Sequence, residues 1–154
     1  GAIAGKAEVM DVLDNTETRR GPRQSGTFSA NNFTLAAGLA TLKELTPQAY
    51  ERLEGFGRRL HAGLEAAFDE AGVPCQILSA GSIVSMALTD RAVTDYRGMA
   101  AADNSLLDRI RLALTLKGQF TQAGLGFSLS TPMDAGDIDG LIRAVKEALA
   151  ENDD

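Results

Sequence analysis

The segment "GTFSANNFTLAAGLATLKEL", Gly26 to Leu45, contains a change of character on which the reading of the chain turns. Its first residues are small, polar and turn-forming. Apolar residues then recur at Leu35, Leu39 and Leu42, four and three apart, which is the period of a helix with one apolar face. The spacing predicts a helix from Phe33 to Leu45, with Asn31 or Asn32 capping its free backbone donors. The polar stretch reaches back to Gly21 as "GPRQS". Backbone donors and hydroxyls of Gly26, Thr27 and Ser29 just ahead of a helix start are a physically sensible way to hold a phosphate. On residue types alone a plain surface loop is the simpler reading.

Working outward, "GAIAGKAEVMDVLD" at the start reads as the end of a tight turn or strand entered partway through a fold. A short helix is expected from Lys6 to Asp14, with Ala7, Met10 and Leu13 on one face. Downstream, Thr46-Pro47 marks a new helix, because proline suits the first helical position. Tyr50, Leu53, Phe56, Leu60, Leu64 and Phe68 carry that helix to Ala71, and Gly72 stops it. Gly55, Gly57 and Gly63 inside it each cost roughly 1 kcal/mol relative to alanine, so they suggest close packing. The period then changes. "CQILSAGSIVSMALTD" suits two short strands joined or kinked at Gly81, and "RAVTDYRGMAA" is a polar connector. A helix from about Ser105 to Lys117, capped by Asp103, Asn104 or Ser105, ends at Gly118. "GQFTQAGLGFSLST" reads as two more strands, around Phe120 and over Phe127 to Leu129, turning at Gly124 and Gly126. A last helix spans "DAGDIDGLIRAVKEALAE", and the tail "ENDD" should fray.

The sum is an α+β unit, helices packed on one face of a small, mainly antiparallel sheet, preceded by a helical arm. With 154 residues, 44% of them apolar, there is material for one core rather than two. Twenty-one carboxylates against 15 Lys and Arg, with no basic run beyond two residues, argue against nucleic acid or an anionic membrane as partner. No apolar stretch reaches the roughly 18 residues a membrane span needs, and no signal peptide opens the sequence. The single cysteine, Cys75, excludes an internal disulfide and suits a reducing compartment, so the cytoplasm is the expected location.

Most of the reactive residue types read as structural. His61, the only histidine, falls on the polar flank of the long helix and is expected to be a solvated surface residue, so no metal site follows. Cys75 has no basic neighbour in sequence and reads as a buried, inert thiol. No serine sits in a G-x-S-x-G elbow. "GLGFSL" lacks the third glycine and the following helix of a dinucleotide fingerprint. "DAGDID" is most simply a helix start.

Taken together, "GAIAGKAEVMDVLD", "SGTFSANNFTLAAGLATLKEL", the long helix and "DIDGLIRAVKEAL" resemble the carboxy-terminal third of the class III, fold type I aminotransferases that use pyridoxal phosphate, in particular the glutamate-1-semialdehyde aminomutase-like subgroup. The resemblance covers essentially the whole chain. The turn at Gly1 to Gly5 matches the one that follows the Schiff-base lysine of that family. Gly26, Thr27, Phe28 and Asn31 match its Gly-Thr-Phe-x-x-Asn-Pro segment, with Asn32 in place of the proline. The resemblance implies that Thr27, through its hydroxyl and amide, binds the phosphate of the cofactor held by the neighbouring subunit of a homodimer, Gly26 allowing close approach. It further implies that residues 1–45 belong to the cofactor-binding large domain, 46–150 form the small domain, and 151–154 are a tail.

Two departures limit the inference. Between Gly118 and Ser128 the aminomutase itself carries a longer loop with a Gln-Phe-Glu element near the substrate, whereas "QFTQAGLG" is short and lacks the acid. Amino-group transfer on a small amino or keto substrate, an intramolecular amino shift and a racemase thus all stay open. The Schiff-base lysine, the acid for the pyridine nitrogen and the bed for the ring all lie upstream in the family's order, and only Lys6, Lys43, Lys117 and Lys146 are present. Alone, the chain is expected to be inactive and to rely on an amino-terminal region and a second subunit. The alternatives are a naturally separate, non-catalytic interaction domain and an unrelated acidic binding module. The start inside a turn without methionine favours a fragment over the former, and the matched order of segments disfavours the latter.

Overall fold

The computed structural model describes residues 3–13, 26–121 and 125–151 and divides the chain into two compact units, residues 1–46 and 47–154. The first unit contains α1 (Ala7–Met10), a single 3-10 turn over Asp11–Leu13, and α2 (Asn32–Glu44). The expected first helix is thus shorter and changes pitch at Asp11, and Asp14 lies outside the described residues. Met10 and Leu13 are half-buried while Ala7 is exposed, so two of the three proposed face residues gain cover. No residue of α1 or α2 is buried. α2 is held instead by its cap, Asn31 Oδ1 accepting from the Phe33 N–H at 3.0 Å.

The second unit holds α3 (Pro47–Glu70), β1 (Gln76–Ala80), β2 (Ile83–Ala87), α4 (Tyr96–Ala100), α5 (Asn104–Leu116), β3 (Phe127–Ser128) and α6 (Ala135–Ala150). Proline opens α3, and Gly72 beyond its end takes φ +64°, the left-handed conformation in which glycine avoids the Cβ penalty. Leu53, Leu60, Leu64, Ala67 and Phe68 form its buried stripe. β1, β2 and β3 make one antiparallel sheet in that order. Ala80 pairs with Ile83 across a two-residue turn in which Gly81 takes φ +58°. The register sets Ile77 opposite Met86 and Ser79 opposite Val84, and Val84 opposite Phe127, so the apolar members of these pairs meet the core together.

α3 lies against β1, β2 and α6, and α5 lies against α6. Two of the three glycines in α3 explain these contacts. A Cβ on Gly57 would stand 1.9 Å from the Gly81 carbonyl oxygen, so the hairpin turn seats on bare helix backbone there. A Cβ on Gly63 would stand 2.4 Å from Ile142 Cδ1, which sets the approach of α6. Gly55 faces only the tip of Arg58, so close packing does not account for it. On the outer side Arg59 grips Asp139 of α6 through two bonds of 2.7 and 2.6 Å, and Lys146 meets Glu70 at 2.7 Å.

The structure corrects two elements. Residues 119–121 are not a strand, and Phe120 is 94% exposed; β2 takes β3 as its second neighbour instead. Gly124 lies outside the described residues. The polar connector contains α4, a five-residue helix set by Asp95 Oδ1, which accepts from the Gly98 N–H at 2.8 Å. Asp103 caps α5, and Asp134 with Asp137 forms a reciprocal capping box on α6, which accounts for two of the three "DAGDID" carboxylates, the third being the Asp139 held by Arg59.

Candidate functional site

In the first unit the segment from Gly26 to Asn31 is a tight turn delivered onto the start of α2. The Ser29 N–H donates to the Gly26 carbonyl at 2.9 Å, and the Asn31 N–H to the Phe28 carbonyl at 3.3 Å. Asn31 also accepts the Leu35 N–H at its own carbonyl, 2.9 Å away, which locks turn and helix into one piece. Ala30 between them takes φ +56°, a conformation that costs an L-residue roughly 1 kcal/mol. Such strain persists only where surroundings enforce it, and it concentrates at ligand-binding loops. Gly26 leaves open the space where a Cβ would come within 3.3 Å of Ser29 Oγ.

This turn and the first turn of α2 line a hollow of about 500 Å³, to which Gly26, Thr27, Phe28, Ser29, Ala30, Thr34 and Leu35 contribute. All seven are exposed. Three hydroxyls are therefore present beside the positive end of a 13-residue helix, with no cation and no carboxylate among the described lining residues. Such a surface suits hydroxyl and amide donation to an anion whose other contacts come from elsewhere. Gly26 and Thr27, the two residues singled out from the sequence, stand together here; Gly21 to Ser25 and the Gly1 end of the first turn lie outside the described residues.

Elsewhere the described residues offer little nucleophilic chemistry. Burial pushes the Cys75 thiol up to about 12, so at neutral pH it is protonated and unreactive. Lys117 is held by Glu151 at 2.7 Å and Glu147 at 3.3 Å, and these partners raise its pKa and keep it a cation. Lys146 is paired with Glu70. Lys6 and Lys43 are exposed at helix ends. His61 departs from expectation. It is half-buried, with Nδ1 2.8 Å from Ser79 Oγ and Nε2 3.2 Å from Glu65 Oε1, so it links α3 to β1 rather than standing in solvent. The Glu65 contact was available in sequence as an i,i+4 pair on a helix; the contact with Ser79 arises only when the hairpin folds back. A second hollow, of about 610 Å³, lies beside β3, where the Thr121 hydroxyl oxygen is buried without a partner among the described residues.

Comparison with known proteins agrees with the fold. No family model matches the chain. Over 97% of its length the chain is 36% identical to a glutamate-1-semialdehyde 2,1-aminomutase of Sorangium cellulosum, and it spans 34% of that relative. Among solved structures it superposes on an omega-transaminase from Sphaerobacter thermophilus with a TM-score of 0.78 and 36% identity, covering 95% of this chain and 34% of that one. It also superposes on a transaminase with PLP bound, with a TM-score of 0.75 and 25% identity, covering 96% of this chain and 34% of that one. The chain therefore spans about a third of the length of the curated relatives it matches. In sequence and fold it corresponds to the carboxy-terminal portion of the fold type I, pyridoxal-phosphate-dependent aminotransferases of glutamate-1-semialdehyde aminomutase type.

Proposed function

We propose that this carboxy-terminal portion of a pyridoxal-phosphate enzyme serves an amino-group transfer or an intramolecular amino shift on a small amino or keto substrate, and that its own contribution is to hold cofactor phosphate. The carrying observation is the strained turn from Gly26 to Ala30 that opens onto the amino end of α2 with exposed hydroxyls and, among the described residues, no carboxylate in the lining. Thr27 donates its hydroxyl and amide to phosphate oxygens, and Gly26 lets the backbone come close. When bound, pyridoxal phosphate supplies the electron sink on which amino chemistry runs; the protein orients it.

The turn is exposed on the first unit, which suits a site completed by another polypeptide surface, in this reading a second subunit of a homodimer. Residues 1–45 then belong to the cofactor-binding domain and 46–150 to the small domain. The exposed apolar positions of α2, Leu35, Leu39 and Leu42 at 59, 57 and 64%, support cover from the rest of such an enzyme. The 154 residues alone are inactive in this account. Lys117 and Lys146 are committed to ion pairs, and neither Lys6 nor Lys43 lines the hollow.

The test is Thr27→Ala in the full-length enzyme. Loss of one hydrogen bond to a charged group is worth about 1.5–3 kcal/mol, so cofactor affinity should fall about 10- to 100-fold with unfolding unchanged. Equilibrium binding of pyridoxal phosphate to the apoenzyme reads this directly, and an unchanged affinity removes Thr27 from the phosphate site.

A further inference from the structure

We infer that Ala30 is a positioning residue for phosphate binding, its left-handed backbone fixing the turn that sets the hydroxyls of Thr27 and Ser29 beside the start of α2. The inference rests on the phosphate role proposed for Thr27. Five of the described residues take a φ in the left-handed range: Gly72, Gly81, Gly118, Leu125 and Ala30. The three glycines adopt it without a Cβ penalty. Leu125 is fully buried, so the core around it holds its backbone in place. Ala30 has neither support, since it carries a Cβ and is exposed.

What holds Ala30 is the hydrogen bonding of its own turn. It is the third of the four residues Phe28 to Asn31, which are closed by the Asn31 N–H donating to the Phe28 carbonyl at 3.3 Å. Positive φ at that place is what a type II turn requires, and glycine or asparagine is the residue that suits it. Asn31 Oδ1 in turn accepts the Phe33 N–H at 3.0 Å and caps α2. An ordinary negative φ at Ala30 would swing Asn31 away from these partners. The hydroxyls of Thr27 and Ser29 would then lose their fixed place beside the helix. A binding site that exists only in one backbone conformation has an affinity scaled by the fraction of molecules in that conformation. Position 30 therefore tunes phosphate affinity through its backbone preference, although Thr27 makes the contact.

The experiment is equilibrium binding of pyridoxal phosphate to the full-length apoenzyme with Ala30→Gly, Ala30→Asn or Ala30→Val, with urea unfolding of each alongside. Asparagine and valine are of similar size, but asparagine tolerates the left-handed region and a β-branched residue does not. Ala30→Val should bind about tenfold more weakly than the parent, whereas Ala30→Gly and Ala30→Asn should bind at least as tightly, up to about fivefold tighter. Equal affinity across the series overturns the positioning role even where the urea midpoint moves, because a merely structural turn would alter only the midpoint. Ala30→Asn as weak as Ala30→Val also overturns it, since side-chain bulk would then be the cause. A flat series beside a weakened Thr27→Ala removes Ala30 alone and leaves the phosphate reading standing. Unchanged affinity in Thr27→Ala overturns both.

Discussion

α2 and α3 follow one another in the chain with two residues between them, and both carry leucines three, four or seven apart, yet their situations differ completely. α3 buries Leu60 and Leu64 entirely; α2 leaves every leucine of its stripe more than half exposed. Periodicity therefore reports which face a helix offers, while burial depends on whether a surface is there to receive it. α3 has β1, β2 and α6. α2 stands on its Asn31 cap and the turn behind it, and a helix of 13 residues is marginal in water on such terms alone.

Paired substitutions can break this contrast. Leu60→Ala should cost about 2–5 kcal/mol in urea unfolding, because it opens a cavity in a filled core, whereas Leu39→Ala should move the midpoint hardly at all. Comparable losses at both positions would mean that α2 is packed in solution. The glycines sharpen the point further, since the sign itself should invert. Gly57→Ala drives a methyl into the Gly81 carbonyl and should destabilise by about 1–3 kcal/mol, well beyond any gain in helix propensity. Gly38→Ala meets nothing within 4 Å and should raise the helicity of α2, worth roughly 1 kcal/mol to that helix by circular dichroism.

The smallest expected effect lies on the α3 to α6 surface. The hydrogen bonds from Arg59 hold the Asp139 carboxyl below its ordinary value of 3.8, with the charges of Arg59 and Arg143 adding to this and desolvation opposing it. A folded-state value below the unfolded one stabilises above the ordinary value, and that contribution is lost as the pH falls through the lower one. Asp139→Asn should therefore lower stability slightly at pH 7, where the exposed pair is formed, and converge with the parent as the pH falls below about 4, so that the acid limb flattens. An unaltered acid limb would mean the pair is not formed in solution.

The legible parts of the fold were those in which local signals and tertiary burial agree. α3, α5 and α6 could be read because their apolar stripes meet a core and their ends carry proline, aspartate or glycine in the positions where backbone groups need them. The hairpin could be read because Gly81 is needed at its turn. α4 could not, because five residues carry no period and the helix is made by one aspartate side chain. Phe120 misled because its apolar character suggested core, while the chain leaves it in solvent. His61 was half legible. Glu65 lies one helical turn away in sequence, but Ser79 joins only through the fold. At the candidate site, the cap at Asn31 could be derived from residue types, whereas the phosphate role proposed for Gly26 and Thr27 rests on family resemblance, because a polar turn before a helix is common to many loops.

The most direct test of the central claim is borohydride reduction of the native parent enzyme followed by peptide mapping of the pyridoxyl-modified lysine. The account predicts a label on a lysine outside these 154 residues, with Lys6, Lys43, Lys117 and Lys146 unmodified. A label on any of those four would contradict it, and so would a protein that carries no pyridoxyl group at all.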